Sequence, residues 1–390
     1  MTRLDFVIVP FAMDMAVAMS QIMVNLRALD LGASATEVGV LMGLCWGIAY
    51  MLTALTTGRM VARFGARSMI LVGGAAFALG LAAYGFATAP WHLLVAAPVA
   101  GAGSGVFWPA LQTYIRAADP DETRVRSGLF NMSWTAGVLA GVTASGHAYR
   151  ALGPAASFWS AAGLSAAVLA LLAVRLRIGP TAVYDDEDNE AGADRVDPRA
   201  RSFLHIAWLV NFTMWFAGTS VATVFPRLAR SLHFSDGRIG EMAGAVWLGQ
   251  IGLFCVLTTG AWWHDRKAPF LLGLAAGLVA VLLFASVSTA LWLVAASIVI
   301  GAARTPGHMA SIHYGLHSGG DRDANMGYHE AVLGAGCVLG PLLSGYAADI
   351  GGVRAPFMIS AALIAPVILA VVIWPMAKFR ADRSNPATSP

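Results

Sequence analysis

Hydrophobic residues occur along this 390-residue chain in long blocks that are separated by short polar segments. An α-helix needs about 20 apolar residues to cross the hydrocarbon core of a bilayer. Twelve blocks reach that length, and helix is the only regular structure in which a single span satisfies its own backbone hydrogen bonds. The predicted spans are residues 5–27, 37–58, 68–88, 92–115, 127–148, 154–174, 203–226, 238–260, 269–288, 290–314, 325–347 and 354–376.

Composition agrees with a chain that is dissolved in lipid. Of its residues 57% are hydrophobic and only 12% are charged, with a mean hydropathy of +0.66. Soluble domains carry about a quarter charged residues, so this chain has too few to cover a water-exposed surface. The net charge of +3 is small and the basic residues lie in short loops, which argues against nucleic acid as a partner. The sequence predicts no bound metal, no cofactor and no enzymatic activity.

A polar stretch near the middle of the chain divides the spans into two sets of six. It covers residues 175–202 and contains five acidic residues between positions 185 and 190, a composition typical of a disordered linker. The predicted fold is therefore an all-α membrane protein with twelve transmembrane helices in two pseudo-symmetric six-helix bundles. The predicted domains are an N-terminal bundle at 1–176, a cytoplasmic acidic linker at 177–202, a C-terminal bundle at 203–378 and a cytoplasmic tail at 379–390.

The two sets of spans repeat each other in sequence. The segment 55–58 recurs at 257–260, and small residues of the fifth span recur in the eleventh. A constant offset across several helices indicates duplication rather than chance. The matching positions in those two spans are Gly128, Gly137, Gly141, Ser145 and Gly146, paired with Gly327, Gly336, Gly340, Ser344 and Gly345.

Lysine and arginine predict the orientation in the membrane. With the N-terminus inside, eighteen of these residues lie in cytoplasmic segments and six on the opposite side. Cytoplasmic loops carry the excess of basic residues, so both termini are expected in the cytoplasm. We expect a multi-pass protein of the cytoplasmic (inner) membrane that acts as a monomer.

Two parallel six-helix halves joined by a charged linker resemble the major facilitator superfamily, a fold built from parallel repeats. That family carries G-x-x-x-D-R-x-G-R between spans 2 and 3. Gly58, Arg63 and Gly65 match this pattern here, Arg67 follows one position after the place of the last arginine, and Ala62 stands in place of the acid. The second-half loop keeps an acid and a base. The resemblance implies that gating involves Gly58, Arg63, Gly65, Arg67, Asp265 and Arg266.

Proton-coupled drug antiporters of that family carry further motifs that this chain departs from. Ala97 stands where they have an arginine in span 4, and span 5 lacks their proline. The resemblance therefore implies a secondary transporter that works by alternating access and is coupled to protons, without specifying a drug substrate. A second interpretation is a non-transporting relative that acts as an assembly factor or receptor in a membrane complex.

Three charged residues lie within spans, where a charge costs several kcal/mol and commonly serves function. Asp14 lies in span 1, Arg304 in span 10 and Glu330 in span 11. The resemblance puts spans 1, 4, 7 and 10 around a central cavity. We predict Asp14 and Glu330 as proton-coupling groups and Arg304 as a ligand for a small substrate, with an anion as one candidate. The alternatives are structural pairs of Arg304 with Glu330 or with Asp14.

Uncharged polar and aromatic residues on the same and neighbouring spans complete a predicted substrate site. Ligand sites are mostly apolar and aromatic, with a few placed polar groups. For any single tryptophan, contact with lipid is the commoner role. The predicted lining consists of Gln21, Asn25, Trp108, Gln112, Asn131, Trp134, Asn211, Trp215 and His308.

Overall fold

The computed structural model describes residues 1–115, 120–176, 197–319 and 322–375, and within these ranges the chain forms twelve long helices and no strand. Each helix coincides with one predicted span, so the prediction of twelve spans is confirmed. The helices are α1 (Asp5–Asp30), α2 (Ala35–Phe64), α3 (Ala66–Gly85), α4 (Pro90–Gln112), α5 (Pro120–Leu152), α6 (Pro154–Arg175), α7 (Pro198–Ser231), α8 (Asp236–Leu257), α9 (Ala268–Ser286), α10 (Ala290–His317), α11 (Arg322–Gly351) and α12 (Ala355–Ile373).

Eleven of these helices are long and apolar enough to cross a membrane. The exception among the described helices is α5, whose first turns are charged and whose remainder is rich in glycine, serine and threonine. It packs against α1 on one side and α8 on the other, and its composition reflects that shared burial. The predicted class of multi-pass membrane protein is confirmed by this architecture.

The helices pack in a pattern that occurs twice. In the N-half (α1–α6), α1 packs on α5 and α6, α3 on α4 and α6, and α2 on α4. In the C-half (α7–α12), α7 packs on α11 and α12, α9 on α10 and α12, and α8 on α10. The halves meet chiefly through α2 with α11 and α5 with α8. The prediction of two pseudo-symmetric bundles is confirmed.

Glycines at the repeated positions explain why equivalent helices approach equally closely. A Cβ added to Gly137 or Gly141 of α5 would collide with backbone of α1. At the repeated positions of α11, a Cβ on Gly336 would lie 3.0 Å from the backbone nitrogen of Phe216, and one on Gly340 would lie 2.7 Å from its carbonyl oxygen. Small residues permit close backbone packing in lipid, where little hydrophobic force drives helices together.

Helix α7 begins earlier than the sequence predicted. The expected start was residue 203, but the helix starts at Pro198, and the Asp197 side chain accepts a hydrogen bond from the backbone N–H of Arg199 at 2.8 Å. Asp at the N-cap followed by Pro at the first helical position is a strong helix start. The last residues of the predicted linker are therefore helical. Residues 177–196, with the acidic cluster, and the predicted tail at 379–390 lie outside the described residues.

Candidate functional site

The two ends of the bundle differ in how closely the halves approach. We call the end that carries the chain termini the terminal end, and the opposite one, with the 31–34 and 232–235 connections, the far end. Along α2 and α11, close contacts run from the far end to about mid-height. From the far end they join Gly345 to Ala35, Gly39 to Pro341, Gly43 to Val338 and Gly334 to Met51.

The α5–α8 contact follows the same course. Gly146 meets the backbone of Asp236 at the far end, Gly240 meets Thr143 one turn lower, and Trp134 meets Trp247 at mid-height. About one turn further towards the terminal end, Asn131 on α5 and Glu330 on α11 have exposed side chains. These two residues occupy repeated positions and mark the level at which the halves separate. Among the described residues, the close glycine and tryptophan contacts between the halves therefore end near mid-height.

Ionic contacts reinforce the closed far end. Arg230 of α7 donates to Asp30 of α1 at 2.6 Å and to the two carboxylate oxygens of Asp236 at 3.0 and 3.2 Å. The hydroxyl of Tyr149 on α5 donates to the other oxygen of Asp30. The Arg230–Asp30 bond joins the halves, so one charge network holds α1, α5, α7 and α8 together.

Two further contacts cross the far end between the halves. Asp349 at the end of α11 accepts hydrogen bonds from the backbone N–H groups of Ala35 at 2.9 Å and Thr36 at 2.8 Å. These N–H groups belong to the first turn of α2, which a carboxylate stabilises by capping and by the helix dipole. The guanidinium of Arg227 donates to the carbonyl of Ala33.

An arginine enclosed by tryptophans lies at the centre of the molecule. Arg304 on α10 is only 5% exposed, and its guanidinium carbon lies 4.7 Å from the ring centre of Trp215 on α7 and 5.2 Å from that of Trp247 on α8. One of its terminal nitrogens donates to the side-chain oxygen of Gln250, also on α8. Its Nε is buried and has no hydrogen-bond partner among the described residues. Trp134 reaches this cluster from the N-half, edge-on to Trp247 at 6.2 Å.

Two histidines extend the cluster towards the terminal end. His308, one helical turn beyond Arg304, lies 6.0 Å from Trp215 and 5.0 Å from His329 of α11, measured between ring centres. His329 shares a 2.7 Å hydrogen bond with the hydroxyl of Ser311. The Nδ1 of His308 is buried, and no described residue forms a hydrogen bond with it. The predicted residues Arg304, Trp134, Trp215 and His308 lie on three helices, α5, α7 and α10, which thus bring them together.

Asp14 lies inside the membrane-spanning part of α1. The residue is 4% exposed, and its Oδ2 is buried with no hydrogen-bond partner in the described part of the chain. It shares one helical stripe with Gln21 and Asn25, since positions seven and four apart lie on the same face. Asn25 lines a small far-end pocket with Thr223 of α7, so this stripe of α1 faces the C-half.

The structural pairs considered from the sequence are not formed between these described residues. Arg304 makes its hydrogen bond with the neutral Gln250, while the Oδ2 of Asp14 has no partner. Glu330 has an exposed side chain. Among the residues that the structure describes, Arg304 is therefore a buried positive charge without an acidic partner.

The remaining predicted lining residues are not among the side chains that the structure shows bonded to, or stacked on, Arg304 in the described part of the chain. Asn211, one turn from Trp215 on α7, is fully buried with both amide atoms unpartnered. Trp108 packs edge-on against Phe130 inside the N-half, and Gln112 is exposed at the terminal end of α4. The Asn25 amide donates to the carbonyl of Gln21 at 3.0 Å, close to the closed far end.

Comparison with known proteins places this architecture in a family. The sequence profile described as Major Facilitator Superfamily matches residues 6–317 and 207–389. The chain belongs to the major facilitator superfamily. The resemblance stated from the sequence is confirmed. Membership of this superfamily indicates a membrane transporter. Comparison with curated protein sequences gives no significant match.

Solved transporters share the fold at low sequence identity. The chain is similar to the nucleoside transporter NupG, with a TM-score of 0.80, 14% identity, and coverage of 96% of this chain and 99% of that one. It is similar to a mutant of the peptide transporter POT, with a TM-score of 0.75, 12% identity, and coverage of 95% and 93%. It is also similar to a bacterial homolog of the human lysosomal transporter Spinster in an inward-facing and unoccupied conformation. The TM-score is 0.71 and the identity 15%, with coverage of 95% of this chain and 96% of that one.

The superfamily loop between α2 and α3 docks on the end of its own half. Gly65 has a φ of 81°, in the left-handed region that glycine adopts without strain, and it turns the chain between the two helices. Arg67 donates to the carbonyl of Ala173 at the end of α6 at 3.0 Å. Arg63 lies 5.2 Å from the ring of Phe64, and an added Cβ on Gly58 would meet open space.

The equivalent loop of the C-half, residues 258–267, has an acid, Asp265, whereas the N-half loop has Ala62 in its place. The backbone N–H of Asp265 donates to the hydroxyl of Tyr314 on α10 at 2.7 Å. The Tyr314 hydroxyl also lies 3.4 Å from the Asp265 carboxylate. The guanidinium of Arg199 lies 3.4 Å from the backbone carbonyl oxygen of Asp265. Arg266 has an exposed side chain. These contacts fasten the 258–267 loop to α10 and α7 of the same half.

Several central and far-end residues were not found from the sequence. Gln250 and Trp247 contact Arg304, and His329 contacts His308, but none has a sequence pattern that separates it from ordinary span residues. The far-end charges did have a signal, because Arg227 and Arg230 belong to the six basic residues on the side where such residues are scarce. In the part of the chain that the structure describes, no group of three His, Cys, Asp or Glu residues could hold a metal ion.

Proposed function

We propose that this superfamily member is a secondary transporter that moves a small molecule by alternating access, with Asp14 as its proton-coupling group. The terminal end is assigned to the cytoplasm, on the excess of lysine and arginine there. The conformation described above is then inward-open. The support for this proposal is the combination of a closed far end, an open terminal end and a charged, aromatic site between them.

The closed far end is suited to reversible opening. Its contacts are a few hydrogen bonds and ion pairs between helix ends, and the side chains of Arg230 and Asp30 are 26% and 32% exposed. Partly exposed ion pairs contribute at most about 1–2 kcal/mol each, so they can be exchanged for water without great loss. Alternating access requires a rocking of one bundle against the other around a fixed central site.

Asp14 is the proposed coupling group because of where it lies and what it lacks. Acidic residues within spans are commonly members of proton pathways. Asp14 is on the stripe of α1 that faces the C-half, and its buried Oδ2 has no partner. A proton exchanged at this carboxyl would change the charge between the halves at mid-height. Glu330, exposed where the halves separate, is a second candidate on the path to the terminal side.

Accessibility measurements test both parts of the proposal without a known substrate. In a background with Cys45, Cys255 and Cys337 replaced by alanine, Asn131→Cys reports on the terminal side and Val38→Cys reports on the far side. We expect membrane-impermeant maleimide to label Asn131→Cys quickly from the terminal side and Val38→Cys slowly from the far side. If alternating access occurs, conditions that raise one rate lower the other.

Coupling predicts that pH moves this balance through Asp14. The ratio of the two labelling rates should depend on pH in the parent protein and become independent of pH in Asp14→Asn, which mimics the protonated acid. Asp5→Asn is the matched control, because Asp5 is a buried acid of the same helix that lies 3.9 Å from Arg175. An unchanged pH dependence in a well-folded Asp14→Asn protein would rule out the coupling role.

A further inference from the structure

The central arginine carries a charge that the described protein does not neutralise. Arg304 is 5% exposed and bonds to the neutral side chain of Gln250. A guanidinium stays charged in proteins, and burial of an ion without a counter-charge is strongly unfavourable. The stacking rings of Trp215 and Trp247 offset a part of that cost through cation–π contact. A negatively charged ligand would supply the counter-charge that is lacking.

The unpartnered atoms around Arg304 indicate which ligand atoms would satisfy them. The Nε of Arg304 and the Nε1 of Trp215 are both buried N–H groups without acceptors. Both can only donate, so each needs an acceptor on the ligand. Buried polar groups in folded proteins are nearly always paired. Two unpaired donors, one on the guanidinium and one on a tryptophan that contacts it, therefore indicate a place for an acceptor. A carboxylate offers two acceptor oxygens in the plane that a guanidinium matches.

The number of permanent charges limits the charge of the ligand. Arg304 supplies one positive charge, and the side chains of Trp215, Trp247 and Gln250 that contact it are uncharged. A monoanion would be neutralised there, whereas a dianion would leave one negative charge buried. The site therefore favours a single carboxylate over a phosphate ester or a dicarboxylate.

The walls of the site indicate the body of the ligand. Trp215 and Trp247 lie on the guanidinium, Trp134 meets Trp247 edge-on, and Phe254 meets His308 edge-on at 5.9 Å. Flat aromatic surfaces in stacked or edge-to-face contact attract each other beyond the effect of burial alone, which favours flat ligands. Trp134 comes from the other half, so a ligand seated here would touch both halves.

We infer that the central site binds a small aromatic monocarboxylate, held by Arg304 and stacked among Trp134, Trp215 and Trp247. The inference rests on the proposed transport function and names the chemical class of its substrate. Substrate contact with both halves would explain how binding affects the balance between inward-open and outward-open states, because a ligand shifts an equilibrium only by its differential contacts.

Binding to purified protein tests the inference with four matched probes. Benzoate has the inferred charge and shape, benzamide is its neutral isostere, cyclohexanecarboxylate keeps the charge but is not flat, and phthalate is a dianion. Calorimetry in detergent should show benzoate binding at micromolar to millimolar concentration, the usual range for substrates. The other three should bind at least about tenfold more weakly, since each lacks one feature that the site matches.

Variants of Arg304 and Trp247 separate charge from stacking. Arg304→Gln should weaken benzoate binding about 30-fold or more, because one partner of a desolvated charge pair is lost. Arg304→Lys should retain weak binding, since the charge survives while the planar fork does not. Trp247→Phe should bind more tightly than Trp247→Leu. Arg238→Gln is the control, because Arg238 is 66% exposed at the far end.

A melting measurement guards against misfolding. Without a ligand, Arg304→Gln should melt at a higher temperature than the parent, since it removes an uncompensated buried charge. Equal binding of benzamide and benzoate, no benzoate binding at millimolar concentration, or undiminished binding by Arg304→Gln would each overturn the inference. The accessibility test uses no ligand, so its success alongside such a result would leave the proposed transport function standing. Its failure alongside specific benzoate binding would reject transport and keep the ligand class.

Discussion

The far-end ion network offers a direct way to shift the conformational balance. Arg230→Gln removes the ion pair with Asp30 that joins α7 to α1 across the halves. The bonds from Arg230 to Asp236 lie within the C-half and would persist in an open far end, so they do not contribute to the difference between states. Only the contact between Arg230 and Asp30, at 2.6 Å, stabilises the closed far end relative to the open one.

The size of the effect follows from burial. A hydrogen bond to a charged group contributes about 1.5–3 kcal/mol when it is buried, and an exposed ion pair contributes about 0–1 kcal/mol. The two side chains are 26% and 32% exposed, which places this pair between those limits, at about 1–2 kcal/mol. Since 1.4 kcal/mol is a factor of ten, the far-open population should rise about fivefold to thirtyfold.

The assay is the labelling rate of Val38→Cys from the far side, in the background without native cysteines. Val38 is 3% exposed and lines the small pocket beneath the seal with Asn25 and Thr223. While the closed state dominates, the labelling rate is proportional to the open fraction, so it should rise by the same factor. Arg238→Gln is the matched control, because its partner Glu241, at 3.1 Å, lies on the same helix.

A second substitution makes the result decisive. Asp30→Asn keeps a hydrogen-bond acceptor for Tyr149 but loses the charge that pairs with Arg230, so it should raise the labelling rate in the same direction. If both variants fold and label Val38→Cys no faster than the parent, the ion pair does not hold the far end closed. The capping of α2 by Asp349 would then be the contact to examine next.

Four further predictions concern packing, gating and topology. Gly141→Ala should lower the melting temperature, at a cost of about 1–3 kcal/mol for overpacking against α1, whereas Gly163→Ala should not, because a Cβ at Gly163 would meet nothing within 4 Å; thermal unfolding of both variants measures the difference. Ala62→Asp restores the superfamily acid and should favour closure of the terminal end, seen as slower labelling of Asn131→Cys; unchanged labelling would mean that this loop does not gate. Tyr314→Phe should loosen the 258–267 loop by about 1 kcal/mol, seen as faster hydrogen exchange there, while Tyr114→Phe at the repeated position leaves that loop unaffected. A cysteine at position 190 should be labelled from the cytoplasm, and labelling only from outside would reverse the proposed orientation.

Much of the fold was predictable because the length of each apolar block in the sequence matches the thickness of the hydrocarbon core that a helix must cross. Each apolar block of about 20 residues corresponds to one helix, since lipid leaves a span no other way to satisfy its backbone. The repeat was equally visible, because glycines such as Gly141 and Gly340 are retained where helix backbones come close. The charges of Asp14 and Arg304 were conspicuous for the same reason, as few charged residues are tolerated within spans.

The partners of those charges could not be predicted, because they depend on how each helix is rotated about its axis. Arg304 could have met Glu330 or Asp14, and only the packed arrangement of α8 and α10 puts Gln250 and Trp247 beside it instead. Helix rotation is decided by the summed packing of every neighbouring helix, and no local pattern around Gln250 records that sum. The closed far end likewise depends on contacts between residues some 200 positions apart, such as Asp30 and Arg230. A charged residue at a helix end is stable at the membrane surface whether or not it has a partner, so its presence in the sequence does not reveal a pairing. Only tertiary packing brings such residues together.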